Sequence, residues 1–143
     1  MKTKVETPVV IKTDYLHNVY NLKEFKKKLK LLTAMIKEYR EKEPFDSIAF
    51  CGTSGAAFAY PLSLRLNIPL IHVRKEGIKT HATSKVEGNI GCKSYIIVDD
   101  LISTGATIRY IKDMIGEYIP SAKYKRVFLY GEYFYSEIKH TYY

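Results

Sequence analysis

The chain has 143 residues, 46% of them hydrophobic, and it carries 23 Lys and Arg against 15 Asp and Glu, for a net charge of +8. This length corresponds to one domain, and the apolar content argues against a disordered protein. No apolar run approaches the roughly 18 residues that span a bilayer, and the N-terminus has no apolar stretch of signal-peptide length. Two cysteines, Cys51 and Cys92, cannot form a disulfide framework, so we expect a cytoplasmic protein with no membrane association and with buried thiols.

Much of the excess positive charge falls between residues 23 and 42. The basic residues there are Lys23, Lys26, Lys27, Lys28, Lys30, Lys37, Arg40 and Lys42. They surround apolar side chains at helical spacing, which favours the solvated outer face of a helix, with nucleic-acid binding as the alternative. We therefore expect no nucleic-acid partner.

The N-terminal half of the chain alternates between predicted helix and strand. Segment 7–12 is compatible with a short strand. Asn21 and Glu24 have the spacing of a capping box, which predicts that a helix begins at residue 22. That helix should end before Pro44, because the residue preceding a proline avoids helical angles. The apolar run 47–51, which precedes Gly52, predicts a buried strand.

Four further elements follow Gly52. Residues 55–67 read as a helix, although Pro61 inside it predicts a kink or a helix start at that point. Residues 68–73 read as a second strand. The polar stretch 74–91 has no clear period, and a loop of this length in a compact domain is usually functional or mobile. The unbroken apolar run 95–98 predicts the most deeply buried strand.

A helix over 108–118 and a strand over 125–130 complete the predicted order. Alternation of strands and helices predicts an α/β fold, with a parallel sheet and helices on both of its faces. Ligands of such sheets bind at the carboxyl ends of the strands. The polar motifs of the chain fall at those ends.

The segment from residue 95 to residue 107 carries the chemistry. Its predicted strand ends in Asp99 and Asp100. A predicted helix then begins with Ser103-Thr104-Gly105-Ala106-Thr107. A helix N-terminus with a glycine and hydroxyl donors favours a phosphate. The adjacent carboxylates would repel that phosphate, but they suit sugar hydroxyls or a hydrated Mg2+. The alternative is a strand that ends in a capping aspartate and is followed by an ordinary N-cap.

These thirteen residues resemble the phosphoribosyl-pyrophosphate (PRPP) signature of the type I phosphoribosyltransferases. The resemblance implies that Asp99 and Asp100 hold the ribose hydroxyls, and that they hold Mg2+ through water. It implies that Ser103, Thr104, Gly105, Ala106 and Thr107 wrap the 5-phosphate. It also implies a single domain over 1–143, with a Rossmann-like parallel-sheet core at about 45–131. A small hood would come from the N-terminal twenty residues and the C-terminal tail.

Two other stretches resemble the pyrophosphate side of the same family. Gly52-Thr53-Ser54-Gly55 is similar to its pyrophosphate loop, which implies that Thr53, Ser54 and Gly55 bind pyrophosphate. Residues 61–75 are similar to the corresponding helix, strand and basic pair of the adenine and orotate enzymes. Arg74, Lys75 and Lys79 would then bind pyrophosphate, and Lys79 and His81 would act in catalysis with Asp99 and Asp100. In orotate enzymes that Lys and His lie one residue nearer the basic pair. A packing turn and a solvated basic loop are the alternatives.

The resemblance implies transfer of phosphoribose from PRPP to a nucleobase, with Mg2+ as cofactor and pyrophosphate as product. Where orotate enzymes place an arginine, this chain has Gly131-Glu132-Tyr133, which favours adenine or another purine. Glu132, Tyr133 and Phe134 are the candidate base-binding residues. Orotate remains an alternative base, and a non-catalytic sensor of PRPP or a nucleotide is an alternative function. The family also implies a homodimer, in agreement with the tyrosine-rich C-terminal part of the chain.

Overall fold

The computed structural model describes residues 10–13, 16–75, 84–100 and 104–131. These residues form four helices and five strands. In chain order they are α1 (His17–Tyr20), α2 (Leu22–Lys42), β1 (Ser47–Cys51), α3 (Gly52–Leu66), β2 (Leu70–Val73), β3 (Val86–Gly88), β4 (Ser94–Asp99), α4 (Ala106–Tyr118) and β5 (Lys123–Leu129).

The strands form one sheet in the order β3-β2-β1-β4-β5. The pairs β1–β2, β1–β4 and β4–β5 are parallel, whereas β2 and β3 are antiparallel. The predicted α/β fold is therefore confirmed. The interpretation of 74–91 as one long loop was wrong in part, because β3 lies within it and Val86 is buried in the core. A strand of three residues is too short for its sequence pattern to differ recognisably from that of a loop.

Helices cover both faces of the sheet. Strand β1 alternates between them: Ile48 and Phe50 pack with buried residues of α2 and α3, whereas Ala49 and Cys51 pack with those of α4. This alternation follows from the two-residue period of a strand. Since both faces are covered, all five residues of β1 are buried.

Local sequence signals set most of the helix ends. The backbone N–H of Glu24 donates to Asn21 Oδ1 over 3.1 Å, so α2 begins as predicted and ends before Pro44. Helix α3 begins at Gly52, three residues before the predicted start, and Pro61 lies inside it. Gly52 has φ +74, which lets the chain turn directly from β1 into the helix.

Strands β2 and β5 and helix α4 also differ from their predicted bounds by one or two residues. Two further differences concern the N-terminal region. Helix α1 was not predicted, and residues 10–12, the described part of the predicted segment 7–12, are not in a strand. Most of the residues assigned to the hood lie outside the described ranges. Among the helices that the structure describes, none is long and apolar enough to cross a membrane.

Candidate functional site

The carboxyl ends of the four parallel strands lie on the same side of the sheet, and the predicted site residues follow these ends. Residues 52–55 follow β1, 74–75 follow β2, 99–107 include the end of β4, and 130–131 follow β5. Residues 101–103 lie outside the described chain. The arrangement is the crevice at which ligands of open α/β sheets bind.

Asp99 connects two of the predicted motifs. It is the last residue of β4 and is 4% exposed. The hydroxyl of Ser54, in the first turn of α3, donates to Asp99 Oδ1 over 3.1 Å, and the backbone N–H of Asp100 donates to the same oxygen over 2.9 Å. The predicted pyrophosphate loop and the predicted ribose-binding carboxylates are therefore in direct contact.

Burial, reinforced by the neighbouring Asp100 carboxylate, raises the pKa of Asp99 to about 7. The hydrogen bonds from Ser54 and from the Asp100 N–H act in the opposite direction and only partly compensate. Among the residues that the structure describes, no basic side chain forms an ion pair with Asp99. A buried carboxylate that has no ion pair and lies beside another carboxylate lowers stability. Such carboxylates are typical of sites that bind a cation or a polyol.

Tyr130 fixes this part of the site from the end of β5. Its hydroxyl donates to the carbonyl of Ser54 over 2.7 Å, and its backbone N–H donates to the carbonyl of Asp99 over 3.2 Å. The N–H of Gly131 donates to the carbonyl of Asp100 over 2.7 Å. Sequence reasoning missed Tyr130 as a site-forming residue, because its partner Ser54 is 76 residues away.

The first turn of α3 packs closely against the neighbouring strands. A Cβ on Gly55 would lie 3.0 Å from Phe50 Cβ and 3.1 Å from the carbonyl oxygen of Val98, so the helix packs tightly onto β1 and β4. The N-cap residue, Cys51, makes no side-chain cap. The first N–H groups of this 15-residue helix and its dipole therefore favour an anion.

Helix α4 begins with a second anion-binding arrangement. Gly105 has φ +81, a left-handed conformation that suits glycine, and it caps the helix without a side chain. The N–H of Ala106 donates to Thr104 Oγ1 over 3.2 Å. Thr104 and Thr107 are exposed at this helix start. The placement agrees with the predicted phosphate loop, of which Ser103 lies outside the described residues.

The side chains of the two basic residues after β2, Arg74 and Lys75, extend toward different elements. Arg74 pairs through Nη2 with Glu87 of β3, and its carbonyl accepts a hydrogen bond of 2.8 Å from the hydroxyl of Tyr110 in α4. Lys75 instead reaches the start of α3: a Cβ on Gly52 would lie 2.7 Å from Lys75 Cε and 3.3 Å from Nζ. No sequence motif pointed to Glu87 or to Tyr110.

Several predicted site residues lie outside the described ranges, so their roles stay predictions. They are Lys79, His81, Glu132, Tyr133 and Phe134. An apolar cleft of about 240 Å³ between α2 and the end of β5 is lined in part by Leu129, Tyr130 and Gly131. It contains none of the predicted ligand-binding residues, and we assign no ligand to it.

The carboxylates suit a divalent cation that is shared with a ligand. No group of three or more His, Cys, Asp or Glu in the described part of the chain could hold a metal ion alone. Asp99 and Asp100 offer two adjacent carboxylates, and Mg2+ usually takes one or two carboxylates and completes its shell with water and substrate phosphates. The donor set therefore fits Mg2+ bound together with a phosphorylated substrate.

Comparison with known proteins defines the class. Residues 17–127 match the phosphoribosyl transferase domain, and the chain belongs to that family. This match covers the described fold up to β5 and all of the site segments except those beyond residue 127.

The similar proteins include enzymes named for two different bases. An adenine phosphoribosyltransferase from Treponema denticola is 28% identical over 105 residues, which are 60% of this chain and 53% of that protein. An orotate phosphoribosyltransferase from Rhizobium rhizogenes is 35% identical over 75 residues, which are 51% of this chain and 32% of that protein. The matched region thus spans about half of the first relative and about a third of the second.

Solved structures show the same fold. An adenine phosphoribosyltransferase from Thermoanaerobacter pseudethanolicus superposes with a TM-score of 0.58 at 23% identity, covering 82% of this chain and 74% of that one. An orotate phosphoribosyltransferase from Aeropyrum pernix gives 0.58 at 21% identity, covering 80% and 62%. The recognition of the family from residues 95–107 is confirmed.

Proposed function

We propose that the protein transfers the 5-phosphoribosyl group of PRPP to a nucleobase and releases pyrophosphate. The observation that carries this proposal is the hydrogen bond from Ser54 to Asp99. It places the start of α3, which favours an anion, beside carboxylates that suit ribose hydroxyls. PRPP requires both features at neighbouring positions, since it carries pyrophosphate and hydroxyl groups on one sugar ring.

The 5-phosphate is proposed to bind at the start of α4. Ser103, Thr104 and Thr107 provide hydroxyl donors, and Gly105 and Ala106 provide backbone that an anion can approach. Asp99 and Asp100 would accept hydrogen bonds from the ribose hydroxyls. Because Asp99 is held by Ser54 and by the Asp100 N–H, its carboxylate is oriented before the substrate arrives.

Pyrophosphate is proposed to bind at the start of α3, where Thr53, Ser54 and Gly55 lie in the first turn. Lys75 supplies a positive charge next to Gly52. Negative charge builds on pyrophosphate as it departs, so a cation at this position stabilises the transition state more than the ground state. Lys79 and His81 remain predicted contributors on the same side, whereas Arg74, also predicted there, pairs with Glu87 in the structure.

Mg2+ is the proposed cofactor, held by Asp99 and Asp100 through water and by the substrate. When bound, it would neutralise charge on the leaving group. The carboxylates of the chain would orient it and would also stabilise the positive charge that develops on the ribose.

Adenine or another purine is the proposed base. Glu132 after β5 favours a base with an amino group, and the similarity to an adenine enzyme over 105 residues supports adenine or another purine. Orotate is the second candidate, because the orotate enzymes match a shorter region at higher identity. A non-catalytic sensor of PRPP or a nucleotide is the competing function, since a fold alone does not imply activity.

We also propose a homodimer and a cytoplasmic location, the latter on the basis of the two buried thiols.

The test is a panel of nucleobases with PRPP and Mg2+, read as pyrophosphate release. We expect turnover with adenine or another purine, and loss of turnover in Asp100→Asn. The matched control is Asp113→Asn, which changes an exposed carboxylate of α4. Measurable PRPP binding without turnover on any base would favour the sensor, and absence of PRPP binding would refute the proposal altogether.

A further inference from the structure

Residue 74 is held from three sides. Its backbone N–H donates to the carbonyl of Lys85 over 2.8 Å and extends the β2–β3 pairing by one residue. Its carbonyl accepts the Tyr110 hydroxyl from α4 over 2.8 Å, and its guanidinium pairs with Glu87. The chain is thereby fixed one residue before Lys75.

The partner of Glu87 at neutral pH is Arg74. His72 lies opposite Glu87 in the β2–β3 ladder, with 3.7 Å between His72 Nδ1 and Glu87 Oε1. Burial and the charge of Arg74 lower the pKa of His72, and its ring stacks on Phe50 at 4.8 Å between centroids. His72 is therefore neutral above pH 7, so that the ion pair of Glu87 is with Arg74.

The side chain of Lys75, the next residue, lies at the start of α3. Its Cε and Nζ lie close to Gly52, whereas the Arg74 guanidinium pairs with Glu87 of β3. A Lys side chain has a flexible four-carbon stem, so the position of its charge depends on where its backbone is anchored.

We propose that Glu87 and Tyr110 are positioning residues for pyrophosphate binding, because they fix residue 74 and so direct the Lys75 ammonium group to the start of α3. This inference rests on the proposed function of that site. It assigns to Arg74 a bond within the chain, through Glu87, in place of a direct bond to the leaving group.

The experiment is calorimetric titration of pyrophosphate with Mg2+ into the full-length protein. Glu87→Gln removes the ion pair, and Tyr110→Phe removes only the hydroxyl. We expect each to raise the Kd about three- to tenfold, as loss of one charged or neutral hydrogen bond does, and Lys75→Ala to raise it more. In the Lys75→Ala background, Glu87→Gln should have no further effect, since Glu87 acts through Lys75.

Glu117→Gln and Tyr118→Phe are the matched controls, because both residues are exposed near the end of α4. Tighter binding in Glu87→Gln would mean that Glu87 competes with pyrophosphate for Arg74, and it would overturn the inference. Unchanged binding, or additive effects of Glu87→Gln and Lys75→Ala, would also overturn it while leaving the proposed function intact. If the wild-type protein bound neither pyrophosphate nor PRPP, the proposed function itself would fail, and the inference with it.

Discussion

Asp99→Asn should stabilise the ligand-free protein at the same time as it destroys activity. Asp99 is 4% exposed, and burial raises the pKa of its carboxyl group from 3.8 to about 7. Between these two pH values the folded chain binds a proton that the unfolded chain has lost. The free energy of unfolding contributed by this group therefore falls as the pH rises through that window.

The size of the effect follows from the shift. One pKa unit corresponds to about 1.4 kcal/mol, so the whole shift would correspond to about 4 kcal/mol. Part of that shift comes from the neighbouring Asp100 carboxylate, and the asparagine amide must itself be desolvated. We therefore expect Asp99→Asn to gain about 1–3 kcal/mol at pH 8, or roughly 4–12 °C in Tm. At pH 5 the folded carboxyl group is protonated but the unfolded one is already ionised, so the gain should fall to about a third of its value at pH 8, and it should vanish only below about pH 4.

The assay is urea unfolding of the wild type and the variant at pH 5 and pH 8, with Asp113→Asn as an exposed control. Contributions that are common to the wild type and the variant cancel in the difference between the two proteins. Turnover of the variant should fall at least about 100-fold, because a preoriented charge at the ribose is lost. A gain in stability that is equal at both pH values, or no gain at pH 8, would refute the assignment of the raised pKa to Asp99.

Four further predictions concern the metal, the packing, a thiol and the assembly. A chelator should abolish turnover and added Mg2+ should restore it, since the described cations are too few to neutralise pyrophosphate; full activity in EDTA would contradict this. Gly55→Ala should lower stability by about 1–3 kcal/mol because its Cβ would meet Phe50 and backbone, whereas Gly116→Ala, with open space around it, should raise stability by about 0.5–1 kcal/mol in thermal unfolding. The pKa of Cys51 is raised to about 11 by burial, so at pH 8 its thiol should react with a disulfide reagent at least about 100-fold more slowly than free cysteine until urea unfolds the chain. Light scattering at micromolar concentration should give the mass of a dimer; a monomer would contradict the proposed assembly.

The sequence by itself determined the architecture and the family. The alternation of buried strands with amphipathic helices is a local pattern, and it correctly predicted the parallel strands and the two covered faces. The capping box at Asn21 set the start of α2 for the same reason, since both partners lie within one turn. Residues 95–107 identified the family because the strand, the two carboxylates and the helix start are contiguous in the chain.

Only the tertiary structure decided which residues support the site. Strand β3 has three residues, and its pairing with β2 is what brings Glu87 to Arg74. The contact of Tyr130 with Ser54 joins segments 76 residues apart. The sequence carries no local signal for such pairs, because each partner alone is compatible with many environments. Their meeting depends on the order and register of the strands, which the packing of the whole sheet establishes.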